Sequence, residues 1–179
     1  MILKNILVKI NKHIFLEFIN KLFQFLLFPF MSSWLLRLLG AKVGRNCRIY
    51  LPLLFTNTCF HNLKIGDNCH IGREVMIDLA GEIYIGHNVT ISMRSTLITH
   101  LNFGDSSAKY MGYHNQTGAI YIEDGVYIGA NTTILHGVRI GRNSIIGACS
   151  LVRENIPPCS LSAGVPTKFI KKFNSSVEM

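Results

Sequence analysis

The amino-acid sequence predicts a mainly β fold in which the chain coils around one axis and forms one short strand every six residues. Three observations support this prediction. In "VYIGANTTILHGVRIGRNSIIG", residues 126–147, an aliphatic residue returns at every sixth position. The positions two residues earlier are mostly small or β-branched, as in short strands, and Gly, Asn and Asp supply the turns. An amphipathic helix would return its apolar face every three or four residues, so the period is not helical.

The repeat runs in two blocks on either side of residues 100–119, which break the period completely. The first block slips by two residues through "LAGEIY", and the second is regular from Ile122 to Val152. The repeated aliphatic positions of the first block are Ile65, Ile71, Ile77, Ile85, Ile91 and Leu97. No single six-residue unit can bury its own apolar side, so successive coils are expected to stack on one another.

Residues 1–40 are predicted to form an amphipathic helical segment that carries most of the positive charge. Of the formal net charge of +8, residues 1–48 supply eight Lys and Arg against the single Glu17. Pro29 is expected to end the first helix. The stretch "SSWLLRLLG" predicts a second helix, capped by Ser32 or Ser33 and stopped at Gly40.

Several roles for this segment can be compared. A signal peptide is not expected, because charges interrupt the apolar stretch and no small-residue cleavage site follows. A membrane span is not expected either, because the longest uncharged run, 22–36, is short and contains a proline. Two compatible alternatives stay open, a helical cap on the end of the coil and a basic helix on an anionic membrane surface. Nucleic-acid binding is not expected, since no binding motif or aromatic stacking platform is present.

Length and cysteine content indicate one reduced domain. The chain has 179 residues, enough for one sizeable core. Its five cysteines are odd in number and form no C-x-x-C pair, which favours a cytoplasmic setting without disulfides or a metal. The histidine separations do not fit a zinc site built on coils of about 18 residues. Residues 173–179 are predicted to be a flexible tail.

The units "IGDNCH", "IGHNVT", "IGANTT" and "IGRNSI", with the closing "IIGACSLVRENIPPCSLSAGVPTKFIKK", resemble the hexapeptide-repeat acyltransferases. The resemblance spans roughly residues 40–172 and is closest to the galactoside, maltose and polysaccharide O-acetyltransferase branch. It implies a left-handed parallel β-helix over residues 41–172, with an N-terminal helical segment and an excursion loop at 100–119.

His100 stands where the repeat breaks, and loops held by a rigid scaffold commonly carry functional sites. In the resembling family, a histidine at the start of the excursion is the catalytic base, so the resemblance implies that role for His100. An imidazole can accept a proton from a hydroxyl near neutral pH. The alternative is a loop histidine that only hydrogen-bonds to a neighbouring turn.

The resemblance implies direct transfer of an acetyl group from acetyl-CoA, without a covalent enzyme intermediate. The family's asparagine in an earlier coil is Gly72 here, which leaves the oxyanion donor unassigned, and a common tryptophan is Tyr127. Tyr127 and the loop residue His114 are therefore candidates for the substrate side. A mobile loop position without contact to substrate is the alternative for His114.

The family runs the pantetheine arm of coenzyme A along small residues in a groove between subunits. Ala130 and Ala148 match those positions, although alanine also suits a tight corner. The family's Thr-Lys before the closing segment is Arg153-Glu154 here, so Arg153 is the predicted phosphate contact. Lys168 and Lys171 match the basic tail, where a solvated charge run is the alternative. Grooves between subunits imply a cyclic homotrimer.

The resemblance implies a saccharide acceptor, and the basic N-terminus favours a lipid-linked sugar or polymer in surface polysaccharide (capsule, O-antigen or exopolysaccharide) biosynthesis. The enzyme is then expected in the cytoplasm, with peripheral membrane contact through residues 1–30 as an open alternative. Two other functions stay open, a non-catalytic trimeric scaffold and an N-acyltransferase acting on an amino sugar.

Overall fold

The computed structural model describes the backbone of residues 2–25 and 29–173, and the side chains of 12–23, 31–107 and 110–173. Two helices come first, α1 (Ile2–Phe25) and α2 (Pro29–Leu38). The predicted flexible tail falls outside the described residues from position 174 onward. Phe173, the first residue of that predicted tail, is described, and its N–H donates to the Cys159 carbonyl at 2.6 Å.

Short strands follow, most of them two or three residues long. They are β1 (Lys42–Val43), β2 (Arg48–Ile49), β3 (Leu53–Phe55), β4 (Leu63–Ile65), β5 (His70–Ile71), β6 (Val75–Ile77), β7 (Ile83–Ile85), β8 (Thr90–Ile91), β9 (Thr96–Leu97), β10 (His100–Leu101), β11 (Gln116–Thr117), β12 (Ile120–Ile122), β13 (Tyr127–Ile128), β14 (Thr133–Ile134), β15 (Arg139–Ile140), β16 (Ile145–Ile146), β17 (Leu151–Val152), β18 (Ser160–Ala163) and β19 (Lys168–Lys172).

The strands stack into three parallel sheets that form the faces of a solenoid. Face A has the order β1-β4-β7-β12-β15, and face C has the order β3-β6-β9-β14-β17. Face B has the order β2-β5-β8-β13-β16-β18-β19, in which only the last pair is antiparallel. The chain visits faces A, B and C in turn, so each coil is a triangle with three corners. This confirms the predicted mainly β, parallel β-helix of hexapeptide repeats.

The predicted six-residue positions form the core of the solenoid. Ile71, Ile91, Ile128, Ile134 and Ile146 are each 0% exposed. In parallel in-register pairs such as Ile71 with Ile91, each aliphatic residue lies directly on its counterpart in the next coil. The branched side chains therefore build a continuous apolar column that no single repeat could bury.

The corners explain the turn residues of the repeat. Asn68, Asn88 and Asn131 adopt left-handed backbone conformations with φ of 57–58°, which asparagine tolerates better than most residues. A Cβ on Gly66 would come within 2.7 Å of the Gly86 carbonyl carbon in the next coil. Glycine at these corners lets successive coils approach to strand-pairing distance.

The excursion leaves the solenoid after β9 and returns before β12. Its ends form a small antiparallel pair in which His100 is opposite Thr117 and Leu101 is opposite Gln116. A 3₁₀ turn, Ser107–Met111, lies between the two ends. The base is held closed by a hydrogen bond from the Gly118 N–H to the Thr99 carbonyl at 2.9 Å.

Both helices lie against the first coil, α1 on β3 and α2 on β1 and β2. The buried Phe23 ring packs edge-on against Phe55, with 5.3 Å between the ring centroids. The Asn20 amide donates to the Phe55 carbonyl at 3.1 Å and accepts from the Phe55 N–H at 3.0 Å. The Asn20 side chain of α1 therefore satisfies the backbone groups of Phe55 on the free edge of β3.

Side chains of α2 bond to backbone groups of the first coil on the other two faces, and the start of this helix differs from the prediction. Arg37 Nε donates to the Val43 carbonyl at 2.9 Å beside β1, and the Ser33 hydroxyl donates to the Cys47 carbonyl at 3.3 Å beside β2. The prediction that Ser32 or Ser33 caps this helix is wrong, because α2 begins at Pro29. Proline suits a first helical turn, and both serines are buried inside the helix.

Residues 156–172 cover the opposite end. Ile156 forms a parallel bridge with Ile140 of face A, and β18 pairs with β16 of face B. The Thr167 N–H donates to the Leu151 carbonyl of face C at 2.9 Å. Neither helix, over the described part of the chain, is long and apolar enough to cross a membrane.

Candidate active site

Polar side chains replace aliphatic ones at the corner where face C turns into face A, here called the C/A corner. Thr56, Asp78 and Thr99 directly or closely follow β3, β6 and β9, so they stand on three successive coils. His100 comes next in the chain, at the start of the excursion. The solenoid therefore brings together residues that lie about 22 positions apart in sequence.

Asp78 is the centre of this cluster, with its side chain only 4% exposed. Oδ2 accepts from the Thr99 N–H at 2.9 Å, from the His100 N–H at 3.1 Å and from the Thr99 hydroxyl at 2.7 Å. Oδ1 accepts from the Thr56 hydroxyl at 2.9 Å and from the Ala80 N–H at 3.2 Å. Both carboxylate oxygens are thus supplied with donors.

These donors keep Asp78 ionised although it is buried. Burial alone would raise the pKa of Asp78, because it disfavours the charged form. The hydrogen bonds from His100, Thr99, Thr56 and Ala80 outweigh burial and lower the pKa of Asp78 to about 2. The side chain is therefore an anion throughout the neutral range.

The Asp78 carboxylate fixes the orientation and the tautomer of His100. His100 Nδ1 lies 2.6 Å from Asp78 Oδ2, and an ionised carboxylate can only accept. Nδ1 therefore carries the proton, and Nε2 keeps its lone pair. The imidazole is 38% exposed, so this nitrogen can reach a molecule from solvent. The arrangement can remove a proton from a bound hydroxyl and stabilise the imidazolium that results.

The residues predicted to contact coenzyme A occupy three places. Ala130 and Ala148 lie at the corner between faces B and C, on successive coils, and the Cys149 N–H donates to the Ala130 carbonyl at 2.8 Å. Arg153 follows β17 at the C/A corner, two coils or about 10 Å beyond His100, and is exposed. Lys168 and Lys171 are exposed on β19 at the end of face B.

Of the two substrate-side candidates, Tyr127 does not lie beside His100 in one chain. Tyr127 lies on face B, which is opposite the C/A corner in a triangular coil. It is 45% exposed, and the Ser92 hydroxyl donates to its phenolic oxygen at 3.2 Å. His114 is exposed in the excursion, between the 3₁₀ turn and β11. Their predicted roles stay predictions.

Known proteins with the same repeat match most of the chain. Residues 62–95 match the family described as hexapeptide repeat of succinyl-transferase, and residues 119–154 match bacterial transferase hexapeptide (six repeats). The galactoside O-acetyltransferase of Lactococcus lactis subsp. lactis (strain IL1403) is 31% identical over 150 residues, which are 83% of this chain and 70% of that protein. The chain belongs to the hexapeptide-repeat acetyltransferases.

Two solved structures share the fold of this acetyltransferase. A maltose O-acetyltransferase from Clostridium difficile 630 superposes with a TM-score of 0.79 at 25% identity, covering 93% of this chain and 88% of that one. The hexapeptide-repeat acetyltransferase VCA0836 of Vibrio cholerae O1 biovar eltor was solved with acetyl coenzyme A. It superposes with a TM-score of 0.70 at 22% identity, covering 89% and 86%, and bears on the fold alone.

The sequence of this acetyltransferase marks His100 as a candidate through the break in the repeat, but it does not single out Asp78 or Thr99. The available signal was the two-residue slip through "LAGEIY", which begins just after Asp78 and lengthens the coil beneath the excursion. The structure also explains the glycine that replaces the family's asparagine. A Cβ on Gly72 would come within 2.6 Å of the Met93 backbone nitrogen, so this corner has no room for a side chain.

Among the side chains that the structure describes, no group of three or more His, Cys, Asp or Glu is placed to hold a metal ion.

Proposed function

We propose that this chain transfers an acetyl group from acetyl-CoA to a hydroxyl group of a saccharide, with His100 as general base. The observation that carries the proposal is the 2.6 Å contact between His100 Nδ1 and the buried, ionised Asp78. That contact places the proton on Nδ1 and leaves the lone pair of Nε2 free, on a ring that is 38% exposed. The names of related proteins, which include galactoside and maltose O-acetyltransferases, support a sugar hydroxyl as the acceptor.

In the proposed reaction, His100 Nε2 removes the proton of the acceptor hydroxyl while its oxygen attacks the thioester carbonyl. The tetrahedral intermediate then collapses, the carbon–sulfur bond breaks, and the coenzyme A sulfur takes the proton back from the imidazolium. Asp78 stabilises the protonated ring between these two steps, because its negative charge lies against Nδ1. A backbone N–H is the expected oxyanion donor, since Gly72 offers no side chain.

Coenzyme A is proposed to lie along Ala130 and Ala148, with Arg153, Lys168 and Lys171 as phosphate contacts. Small side chains at successive corners leave room for a pantetheine arm against the backbone, and the three cations are exposed. A homotrimer is part of the proposal. In one chain Tyr127 lies opposite His100, so a site that uses both needs a second protomer.

The acceptor is proposed to be a lipid-linked saccharide of surface polysaccharide biosynthesis, acetylated at the cytoplasmic face of the membrane. The support is the strongly basic N-terminal region, because residues 1–48 contain eight Lys and Arg but only one Glu. Peripheral contact through residues 1–30 would keep the enzyme near such an acceptor.

The test is free-thiol detection of released coenzyme A, with acetyl-CoA and a panel of sugars. His100→Asn keeps a polar side chain of similar size but cannot act as the base, so turnover is expected to fall about 10²- to 10⁴-fold. His87→Asn is the matched control, because His87 is exposed at the corner between faces A and B, away from the C/A corner. Unchanged turnover in folded His100→Asn would refute the assigned base, and turnover only with amino sugars would favour N-acyl transfer.

A further inference from the structure

The two N-terminal helices expose large apolar side chains on the sides that face away from the solenoid. These side chains, here called the outer helix surface, are Ile14, Phe15, Phe18, Met31, Trp34 and Leu38, which are between 39% and 67% exposed. On α1, Ile14 and Phe18 lie one turn apart, whereas Ile19 and Phe23 face the core. On α2, the spacing of Met31, Trp34 and Leu38 places all three on one face.

The outer helix surface exposes more apolar side chains than a helical cap requires. A terminal cap of a solenoid needs one apolar side toward the first coil and a polar outer side that keeps the protein soluble. Here the inner sides are already buried, with Phe23 and Leu36 at 0% exposure. The outer apolar side chains are therefore available to a partner.

The charge and chemistry around the surface identify that partner. Exposed Lys21 lies one turn from Phe18 on the outer side of α1, whereas exposed Lys12 and Arg37 lie at the margins, where the helices meet the first coil. Glu17 is the only acidic residue among the described side chains of the two helices. Trp34, the one tryptophan of the whole chain, is 61% exposed. Tryptophan favours the boundary between water and lipid, and lysine and arginine favour anionic headgroups.

We propose that the outer helix surface binds an anionic lipid bilayer, with the apolar side chains inserted at the headgroup level and the basic ones at its rim. Neither described helix can cross the bilayer, so the contact is with its surface. The proposed membrane contact of residues 1–30 is thereby extended to α2, where it includes the exposed Trp34.

The position of the helices fits the lipid-linked acceptor of the proposed function, on which this part of the inference rests. Both helices lie on the first coil, and His100 follows the third coil at the C/A corner. Two coil spacings of about 4.8 Å and one helix diameter of about 10 Å put His100 roughly 20 Å from the bound surface. A saccharide attached to a membrane lipid can reach that far, whereas a free sugar gains nothing from the contact.

The test uses the full-length chain, with vesicles of phosphatidylcholine alone and of phosphatidylcholine mixed with phosphatidylglycerol. The expected result is co-sedimentation with the mixed vesicles only, weakened by high salt, and a blue shift of the Trp34 emission on binding. Combined Phe18→Ser and Trp34→Ser is expected to lower the partition coefficient at least about tenfold. Ile170→Ser is the matched control, because Ile170 is 55% exposed at the other end of the solenoid.

Three outcomes would overturn the proposal. The first is the absence of binding to mixed vesicles, and the second is binding that the Phe18 and Trp34 substitutions leave unchanged. The third is a Trp34 emission that is already blue-shifted and shielded from soluble quenchers without lipid, which would show a protein surface on Trp34. Turnover of a soluble sugar by the same variants is measured in parallel, so a failure of acetyl transfer is distinguishable from a failure of membrane binding.

Discussion

Replacing Asp78 by asparagine tests the chemistry proposed for the C/A corner. The substitution keeps the size of the side chain but removes its charge, and an amide oxygen then has to replace the carboxylate oxygen opposite His100 Nδ1. The lost interaction is a hydrogen bond of 2.6 Å to a charged group. Such bonds contribute about 1.5–3 kcal/mol, and the ring becomes cationic in the proposed transition state.

At 1.36 kcal/mol per factor of ten, loss of this interaction corresponds to a fall in kcat of about 10- to 150-fold. KM for acetyl-CoA is expected to change little, because Asp78 is buried beneath His100 and does not line the proposed coenzyme groove.

The assay is thiol release at neutral pH, with circular dichroism as the check on folding. Thr56→Val is the control, since it removes the 2.9 Å hydrogen bond to Asp78 Oδ1 and leaves the contact with His100 in place. It is expected to keep kcat close to the wild-type value. The reasoning fails if Asp78→Asn keeps the wild-type kcat, or if Thr56→Val loses as much activity as Asp78→Asn.

Three further outcomes concern stability. The pKa of Asp78 is lowered from 3.8 to about 2, so the ionised side chain contributes roughly 2 kcal/mol to the free energy of unfolding above about pH 4. This contribution is lost as the pH falls to about 2. The free energies of urea unfolding of wild type and Asp78→Asn should therefore converge at that pH, and a constant difference would contradict this. Gly72→Asn should destabilise by about 1–3 kcal/mol, because its Cβ meets the next coil, and an unchanged melting temperature would show that the corner yields. Asn20→Leu should lower the free energy of unfolding by about 1–3 kcal/mol, because it removes two hydrogen bonds to Phe55. Lys21→Ala, at an exposed position on the same helix, should have little effect, and equal effects of the two substitutions would argue against the described contact.

The sequence was sufficient for the core because burial in a solenoid follows from a local pattern. Ile71 and Ile91 could be assigned to the interior from spacing alone, and both are fully buried. The position of the second helix was predicted less well. Ser33 looks like a helix cap in the sequence, but Pro29 begins the helix and the Ser33 hydroxyl reaches the first coil instead.

The candidate site was predicted only in part because it depends on contacts between coils. His100 is marked by the break in the repeat, but its contact with Asp78 depends on the length of the coil between them. Coil length varies along the chain: Tyr121 pairs with Arg139, 18 residues later, whereas residue 54 pairs with residue 76, 22 residues later. A uniform coil length would not have placed Asp78 beneath His100.

The two closed ends of the solenoid have a consequence for solubility. A parallel stack leaves unpaired N–H and C=O groups on its first and last coils, and two such ends could join head to tail without limit. Here Asn20, Ser33 and Arg37 bind backbone groups of the first coil, and residues 156–172 fold over the last. The same side chains that hold the helices in place thus keep separate molecules from growing into fibres.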